Sequence, residues 1–332
     1  MYSFDYQRPD KSDAAVAFLK QHEDAKYLSG GQSLLPTMRL RLAQPSALVD
    51  VTRIVTMKDI TVTGDKVTIG GAVCHAQVAA NPEVQRALPG LADLAGHIGD
   101  RQVRERGTIG GSLANDDQAA CYPAAVLALN ATIVTDRRRI TADDFFLGMY
   151  ETALEPDELI TSVEFPIAER AGYEKFRNPA SHFALVGVFV AKHAGGVRVA
   201  ITGAASSVFR ASELETALSK DFSVAAARGT SISADTLNED MHASAEYRAH
   251  LIPILAGRAV DRANGFLVVR TRGFLGAGAV GVGAGLLLSM LAVCVSWMFS
   301  LSLLATVRGG TSFLCPKRQR NEAKKTLSTT LP

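Results

Sequence analysis

AKYLSGGQSLL, residues 25–35, decides the fold once it is set beside VRERGTIGGSLAND, residues 103–116. Each carries a Gly-Gly pair followed by a polar residue: Ser29-Gly30-Gly31-Gln32-Ser33 in the first, Thr108-Ile109-Gly110-Gly111-Ser112 in the second, about 80 residues later. Both read as strand, glycine turn, then helix. Consecutive backbone N–H groups converge on one anion only in turns of unusual φ/ψ, which glycine enters without a Cβ clash. The missing side chains let a phosphate come close, Ser33 and Ser112 offer hydroxyls, and a following helix adds its positive end. Two such loops suit a pyrophosphate. A Gly-Gly pair is equally what a tight turn needs, so the spacing alone does not name a ligand.

Working outward, residues 12–22 (SDAAVAFLKQH) predict a short helix capped by Ser12 or Asp13, and ALVDVTRI (47–54) predicts a strand. In KDITVTGDKVTIGGAV (58–73) the alternation of Ile60, Val62, Val67 and Ile69 about Gly64-Asp65 predicts a β-hairpin. Residues 75–99 give two helical pieces punctuated by Pro82 and Pro89; YPAAVLALN (122–130) gives an apolar helix, and ATIVTDRRRIT (131–141) a strand pair. LITSVEFP (159–166) is a strand, two or three more follow from Tyr173, and a last helix or two fills 238–263. Strands and helices mix without strict alternation, so the class is α+β, with boundaries near 58, 172 and 264.

The 332 residues carry a formal charge of +2, unevenly spread. The first 265 hold 27 Lys/Arg against 32 Asp/Glu, whereas the rest hold eight against one. The acidic body gives no footprint for nucleic acid. Four scattered cysteines, Cys74, Cys121, Cys294 and Cys315, form neither a CxxC pair nor a Cys/His cluster, which argues against zinc or iron–sulfur on this chain. The start has no signal-peptide pattern, so a cytoplasmic body is expected.

The string YLSGGQSLLPTMRLRL, then RERGTIGGSLANDDQAACYPAAVLAL, ETALEPDELITSVEFP and YEKFRNPASHFALVGVFVA, resembles the medium, FAD-binding subunit of carbon monoxide dehydrogenase and xanthine dehydrogenase type enzymes. The resemblance runs in order from about Tyr2 to Ala263. It implies a two-subdomain FAD-binding domain of the vanillyl-alcohol-oxidase-like (PCMH) type, residues 1–58 and 59–172. A smaller domain with a three-stranded antiparallel sheet and helices follows at 173–264, then a tail at 265–332. The implied function is electron transfer: from [2Fe–2S] clusters on a small partner subunit, themselves fed by a molybdopterin-binding large subunit, through FAD on this chain to an acceptor. No acid, base or nucleophile is required of this chain. A self-sufficient FAD oxidoreductase of the same fold is the alternative. A membrane-anchored interaction protein with vestigial loops is a third reading, which the intact flanks of the loops disfavour.

By the same resemblance Ser29, Gly30, Gly31, Gln32 and Ser33, with Thr108, Ile109, Gly110, Gly111 and Ser112, hold the FAD pyrophosphate. Asn115 and the Asp116-Asp117 loop approach the cofactor. No histidine lies in either glycine loop, and Gln32 stands where some flavoproteins attach FAD, so binding is expected to be non-covalent. Many relatives have an Asp where this chain has Cys121 and a Pro where it has Gln118, so no carboxylate role passes to position 121. A Tyr that relatives often place beside the flavin ring has Phe183 as its nearest match, with His182 adjacent. Lys175 and Arg177 are either positive charge near the reduced flavin or a solvated strand face. His75 is either a polar turn residue or a flavin-edge group. Arg101, Arg104 and Arg106 read as a solvated charge run against a phosphate clamp, and Arg137-Arg138-Arg139 as a hairpin tip.

Two features of the tail stand apart. Residues 276–281 (GAGAVG) spell GxGxxG but lack the βαβ context, since the next acidic residue is Glu322. Gly273–Val307 is an uncharged run long enough to span a bilayer of about 30 Å. It reads either as an anchor with a basic end or as an extension without selected function.

Overall fold

The computed structural model describes residues 1–265. The GxGxxG at 276–281 and the uncharged run 273–307 lie outside the described residues. Among the described residues no helix is long and apolar enough to cross a membrane.

Among the described residues, three sheets of three or more strands and a two-stranded ribbon organise the fold around three apolar clusters. The first is small and parallel, in the order β1 (Asp5–Gln7), β3 (Ala47–Asp50), β2 (Lys26–Leu28). Helix α1 (Ser12–Lys20) makes the crossover from β1 to β2, and Ala15, Val16 and Leu19 bury against Val49 and Ile54. Its N-cap is Lys11, with Ser12 already helical, one residue earlier than the cap residues expected. The strand expected over 47–54 stops at Asp50: its carboxylate accepts the N–H of Thr52 and turns Val51–Arg53 into a short 3₁₀ segment. Helix α2 (Leu34–Arg39) follows the first glycine loop.

The second sheet is antiparallel, in the order β4 (Ile60–Thr63), β5 (Lys66–Gly70), β10 (Ile160–Pro166), β6 (Thr132–Thr135), β7 (Arg139–Thr141). The hairpin about Gly64-Asp65 is present, with Gly64 at φ +63. Helices α3 (His75–Ala80), α4 (Pro82–Ala87), α5 (Pro89–Gly96), α6 (Arg101–Arg106), α7 (Ile109–Asn115) and α8 (Tyr122–Ala128) join its strands. Their starts are written in the sequence: Asn81 accepts from Glu83 and Val84 N–H ahead of Pro82, and Asp100 accepts from Val103 N–H. A four-residue helix α9 (Ala142–Phe145) and the two-stranded ribbon β8 (Phe146–Gly148) and β9 (Glu151–Thr152) follow. The Arg137–Arg139 tip joins β6 to β7 and is exposed, as a hairpin tip should be, and it is also ion-paired. Arg137 meets Asp136, Glu155 and Asp157, Arg138 meets the buried Glu158, and Arg139 meets Glu164.

The third sheet, β11 (Arg170–Arg177), β12 (Ala184–His193), β13 (Gly196–Thr202), β14 (Phe209–Arg210), is antiparallel and buried on both faces. The three strands expected are joined by the two-residue β14, making four. Alternation sorts β12 and β13. Phe189, Ala191 and Ala200 pack into the central core. Val186, Val188, Val190, Val199 and Ile201 pack against α10 (Ser212–Lys220), α11 (Val224–Arg228) and α12 (Ala245–Gly265). The last helix begins later than the sequence suggested, because Asp240 accepts the N–H groups of His242 and Ala243 and holds that stretch as a turn.

Candidate functional site

A single elongated cleft of about 560 Å³ runs between the glycine loops and past β11, within the size range of cofactor sites. Its first wall is the loop after β2. Gly31 takes φ +69, a region where L side chains are strained. Its N–H and those of Gln32 and Ser33 have no acceptor among the described residues. Three consecutive donors are therefore left unpaired in residues that line a cleft, the condition an anion satisfies. Ser33 does not use its side chain to cap α2, so its hydroxyl is also uncommitted there.

The second loop differs from expectation. A helix, α6, precedes it in place of a strand, and Gly110 and Gly111 sit in the first turn of α7. Its N–H groups are already used: Ile109 donates to Val73 O, Gly110 to Gly71 O, Gly111 to Thr108 Oγ1 and Ser112 to Thr108 O. The tightness required by Gly110 is internal, since a Cβ there would lie 2.6 Å from Gly71 O. Ile109 is a correction: fully buried, it belongs to the core beneath the loop and not to the cleft wall. Thr108, the N-cap, stays on the cleft, whereas Ile109, the first helical residue, turns its apolar side chain into the core. Ser29, Gly30, Gly31, Gln32, Ser33, Thr108, Gly110, Gly111 and Ser112 all line the cleft.

The two loops are locked together. Ser29 Oγ and Thr108 Oγ1 share a hydrogen bond of 2.9 Å across 79 residues of sequence. Gly30 lies so close to the chain at Arg106–Gly107 that a Cβ would come within 2.3 Å of Arg106 O. Gly30 therefore serves loop-to-loop contact, Gly31 supplies the positive φ of its turn against Leu28 and Leu35, and Gly111 keeps a Cβ out of the space beside Thr108 and Ser29.

Beyond the loops the wall is formed by Asn115, Asp117, Cys121, Lys175, His182 and Phe183. Asp117 Oδ1 accepts from Ala119 N–H, which fixes the start of the Gln118–Cys121 stretch. Lys175 faces the cleft whereas Arg177 does not. The β-bulge between Phe176 and Arg177 breaks the alternation that would have put both on one face. Phe183 is 47% exposed at the cleft's open edge. Cys121 and His182 were not assigned a place from sequence, because the fold alone brings the start of α8 beside β11. The arginine run does not clamp the cleft: none of Arg101, Arg104 and Arg106 lines it, and Arg104 donates to the carbonyls of Ile98 and Gly99. His75 departs from the turn reading. It is buried in the cleft wall under Gly107, Nδ1 has no partner, and burial followed by Arg104 pushes its pKa down to about 4. It is a neutral imidazole at neutral pH.

Asp116 is buried beside the cleft in the left-handed region (φ +42), with Oδ2 unpartnered. Burial, then the Asp117 carboxylate, push its pKa up to about 7 from 3.8. Between those values the folded chain keeps a proton that the unfolded chain has lost, so stability falls as pH rises from about 4 to about 7. Asn tolerates the left-handed region and carries no charge. Asp116→Asn is expected to raise Tm by about 2–4 °C at pH 8, roughly 1 kcal/mol, and to leave it unchanged at pH 4. Melting curves at the two pH values check this; an equal gain at both would remove the charge from the explanation.

Two such loops, hydrogen-bonded across one long cleft in an α+β frame, define a dinucleotide-binding domain. Residues 2–168 match the family described as the FAD binding domain in molybdopterin dehydrogenase. The chain is 37% identical over 273 residues to the nicotine 6-hydroxylase medium subunit of Paenarthrobacter nicotinovorans, covering 78% of this chain and 96% of that one. It is also 37% identical over 278 residues to the carbon monoxide dehydrogenase medium chain of Hydrogenophaga pseudoflava, covering 78% and 95%. Among solved structures, carbon monoxide dehydrogenase from Hydrogenophaga pseudoflava superposes with a TM-score of 0.72 at 36% identity, covering 80% of this chain and 99% of that one. Quinoline 2-oxidoreductase from Pseudomonas putida 86 also superposes with a TM-score of 0.72, at 27% identity, with the same coverage. The chain belongs to the family of FAD-binding medium subunits of molybdenum-dependent dehydrogenases and hydroxylases. The cleft suits that cofactor: free N–H groups and a hydroxyl where its pyrophosphate would need donors, a positive φ at Gly31, and no Cβ at position 111.

Proposed function

We propose that this chain is the electron-transferring subunit of a molybdenum hydroxylase, binding FAD non-covalently and relaying electrons from a partner's [2Fe–2S] clusters to an external acceptor. The observation that carries the reading is the locked pair of glycine loops lining one cleft, with three consecutive unpaired N–H donors in the first. FAD, when bound, supplies a carrier that exchanges electrons singly or in pairs. The chain's own residues bind and orient it. Gly31, Gln32 and Ser33 would donate backbone N–H groups to the pyrophosphate, and Ser112 would add a hydroxyl. Gly30, Thr108 and Ser29 hold the loops at the right separation, and Gly110 and Gly111 keep the second loop narrow. Asn115 and Asp117 would border the ring end, Lys175 would bring a cation to it, and Phe183 would cover its edge. Residues 1–58 and 59–172 act as the two FAD-binding subdomains, and 173–264 as the domain that closes the ring end. A molybdopterin-binding large subunit and a [2Fe–2S] small subunit are the partners this role calls for, in the cytoplasm.

A visible spectrum of the purified full chain, with and without added FAD, tests the reading. Flavin bands that stay with the protein through gel filtration are expected. A folded chain that never retains flavin would sink the proposal and leave only the family's fold.

A further inference from the structure

Lys175 lies where β11 passes the far end of the cleft, and its ammonium is held in place from two sides. It donates to the carbonyl of His182 at 2.9 Å and to Cys121 Sγ at 3.4 Å. The holders come from different parts of the chain. Cys121 is the N-cap residue of α8, 5% exposed. His182 sits in the turn before β12 with φ +63, a region a non-glycine residue enters only when its surroundings fix it there.

Neither holder is a carboxylate. None of the ion pairs among the described residues includes Lys175, whereas Arg137, Arg138, Arg139, Arg198, Arg210, Arg248 and Arg262 are all matched by acids. The other lysine on the cleft wall, Lys26, is exposed, while Lys175 is half-buried. A half-buried cation with no counter-charge is costly unless an anion comes to it. A two-electron reduction with uptake of one proton adds one negative charge to a flavin in this cleft. That is the anion the site lacks.

We infer that the Lys175 ammonium, fixed by Cys121 Sγ and the His182 carbonyl and cancelled by no carboxylate, balances the charge the cleft's flavin gains on reduction, and that Cys121 thereby sets how readily that flavin is reduced. The inference rests on the FAD reading above. Lys175 acts on the cofactor directly; Cys121 is a positioning residue acting through it. A carboxylate at position 121 would pair with the ammonium and remove its field from the cleft, whereas a serine hydroxyl would hold it as the thiol does.

The test is equilibrium reduction of the FAD-loaded full chain against reference dyes, for the unaltered protein and for Lys175→Gln, Cys121→Asp and Cys121→Ser. At fixed poise the reduced-to-oxidised ratio is expected to fall at least tenfold in Lys175→Gln and Cys121→Asp, about 30 mV for a two-electron couple. Cys121→Ser is expected to stay within about threefold of the unaltered protein. Flavin retained in Lys175→Gln at an unchanged potential would overturn the charge-balancing role, and an unchanged potential in Cys121→Asp would overturn the part given to Cys121. Flavin lost from Lys175→Gln alone would move the ammonium onto the phosphates and overturn the assignment as well. An unaltered chain that holds no flavin is a different result: it removes the FAD reading itself.

Discussion

Gly30→Ala is expected to empty the cleft of flavin and to destabilise the fold by about 3 kcal/mol or more, a fall in Tm of roughly 6–12 °C. The added Cβ would stand 2.3 Å from Arg106 O and 2.6 Å from Gly107 Cα. Both are backbone atoms, so no rotamer change relieves the contact. Relief comes only by moving the second loop, which stretches the Ser29–Thr108 hydrogen bond and pulls apart the walls that hold the pyrophosphate. Gly111→Ala is the contrast. There the nearest atoms are Thr108 Oγ1 at 3.0 Å and Ser29 Cβ at 4.0 Å, both side-chain atoms. Its stability cost is expected to be about 1 kcal/mol, with its main effect on flavin retention. Thermal melts and the flavin-to-protein absorbance ratio after gel filtration read both variants. If Gly30→Ala melted like the unaltered chain and kept its flavin, the locked-loop account would be wrong.

The second large effect lies away from the glycine loops. Gly172→Ala would place a Cβ 2.1 Å from Ala259 O and 2.8 Å from Ala263 N, where α12 crosses β11. On the other side of the same strand, Gly90 in α5 approaches Ala171 O so closely that its own Cβ would lie 2.6 Å away. β11 is thus clamped between two helices by glycine on each side, and it carries Lys175 to the cleft. Displacing α12 also strains the Arg262 pairs with Asp93 and Glu174. A cost of about 3 kcal/mol or more is expected, together with faster proteolysis around 245–265. Limited proteolysis alongside a melting curve measures both, and a cleavage rate equal to that of the unaltered chain would show that α12 is not seated by this contact.

What was legible in the sequence was local. The two glycine loops, the hairpin at Gly64-Asp65, the helix breaks at Pro82 and Pro89, and the long strands of the third sheet follow from turn chemistry and alternation. Local signals fail where distant contacts take over. The glycine pattern predicts a strand before the second loop, but residues 101–106 are helical because Asp100 caps them and their carbonyl end meets Gly30. Ile109 belongs to that loop in sequence, yet its side chain fills the core. Strand spacing groups Arg177 with Lys175, and a bulge separates them.

Residue type alone selects the groups able to surround an anion: glycines free to take unusual φ/ψ, hydroxyls beside them, in the family order of motifs from Tyr2 to Ala263. How they do it depends on long-range packing. It left the first loop's N–H groups unpaired and satisfied those of the second. It placed Cys121 and His182 around Lys175 without a carboxylate, and it buried His75 and Asp116 beside the cleft. The physical reason is range. Backbone preference and capping act over a few residues, whereas whether a donor is free or a charge is matched depends on what the rest of the chain brings within about 3–4 Å.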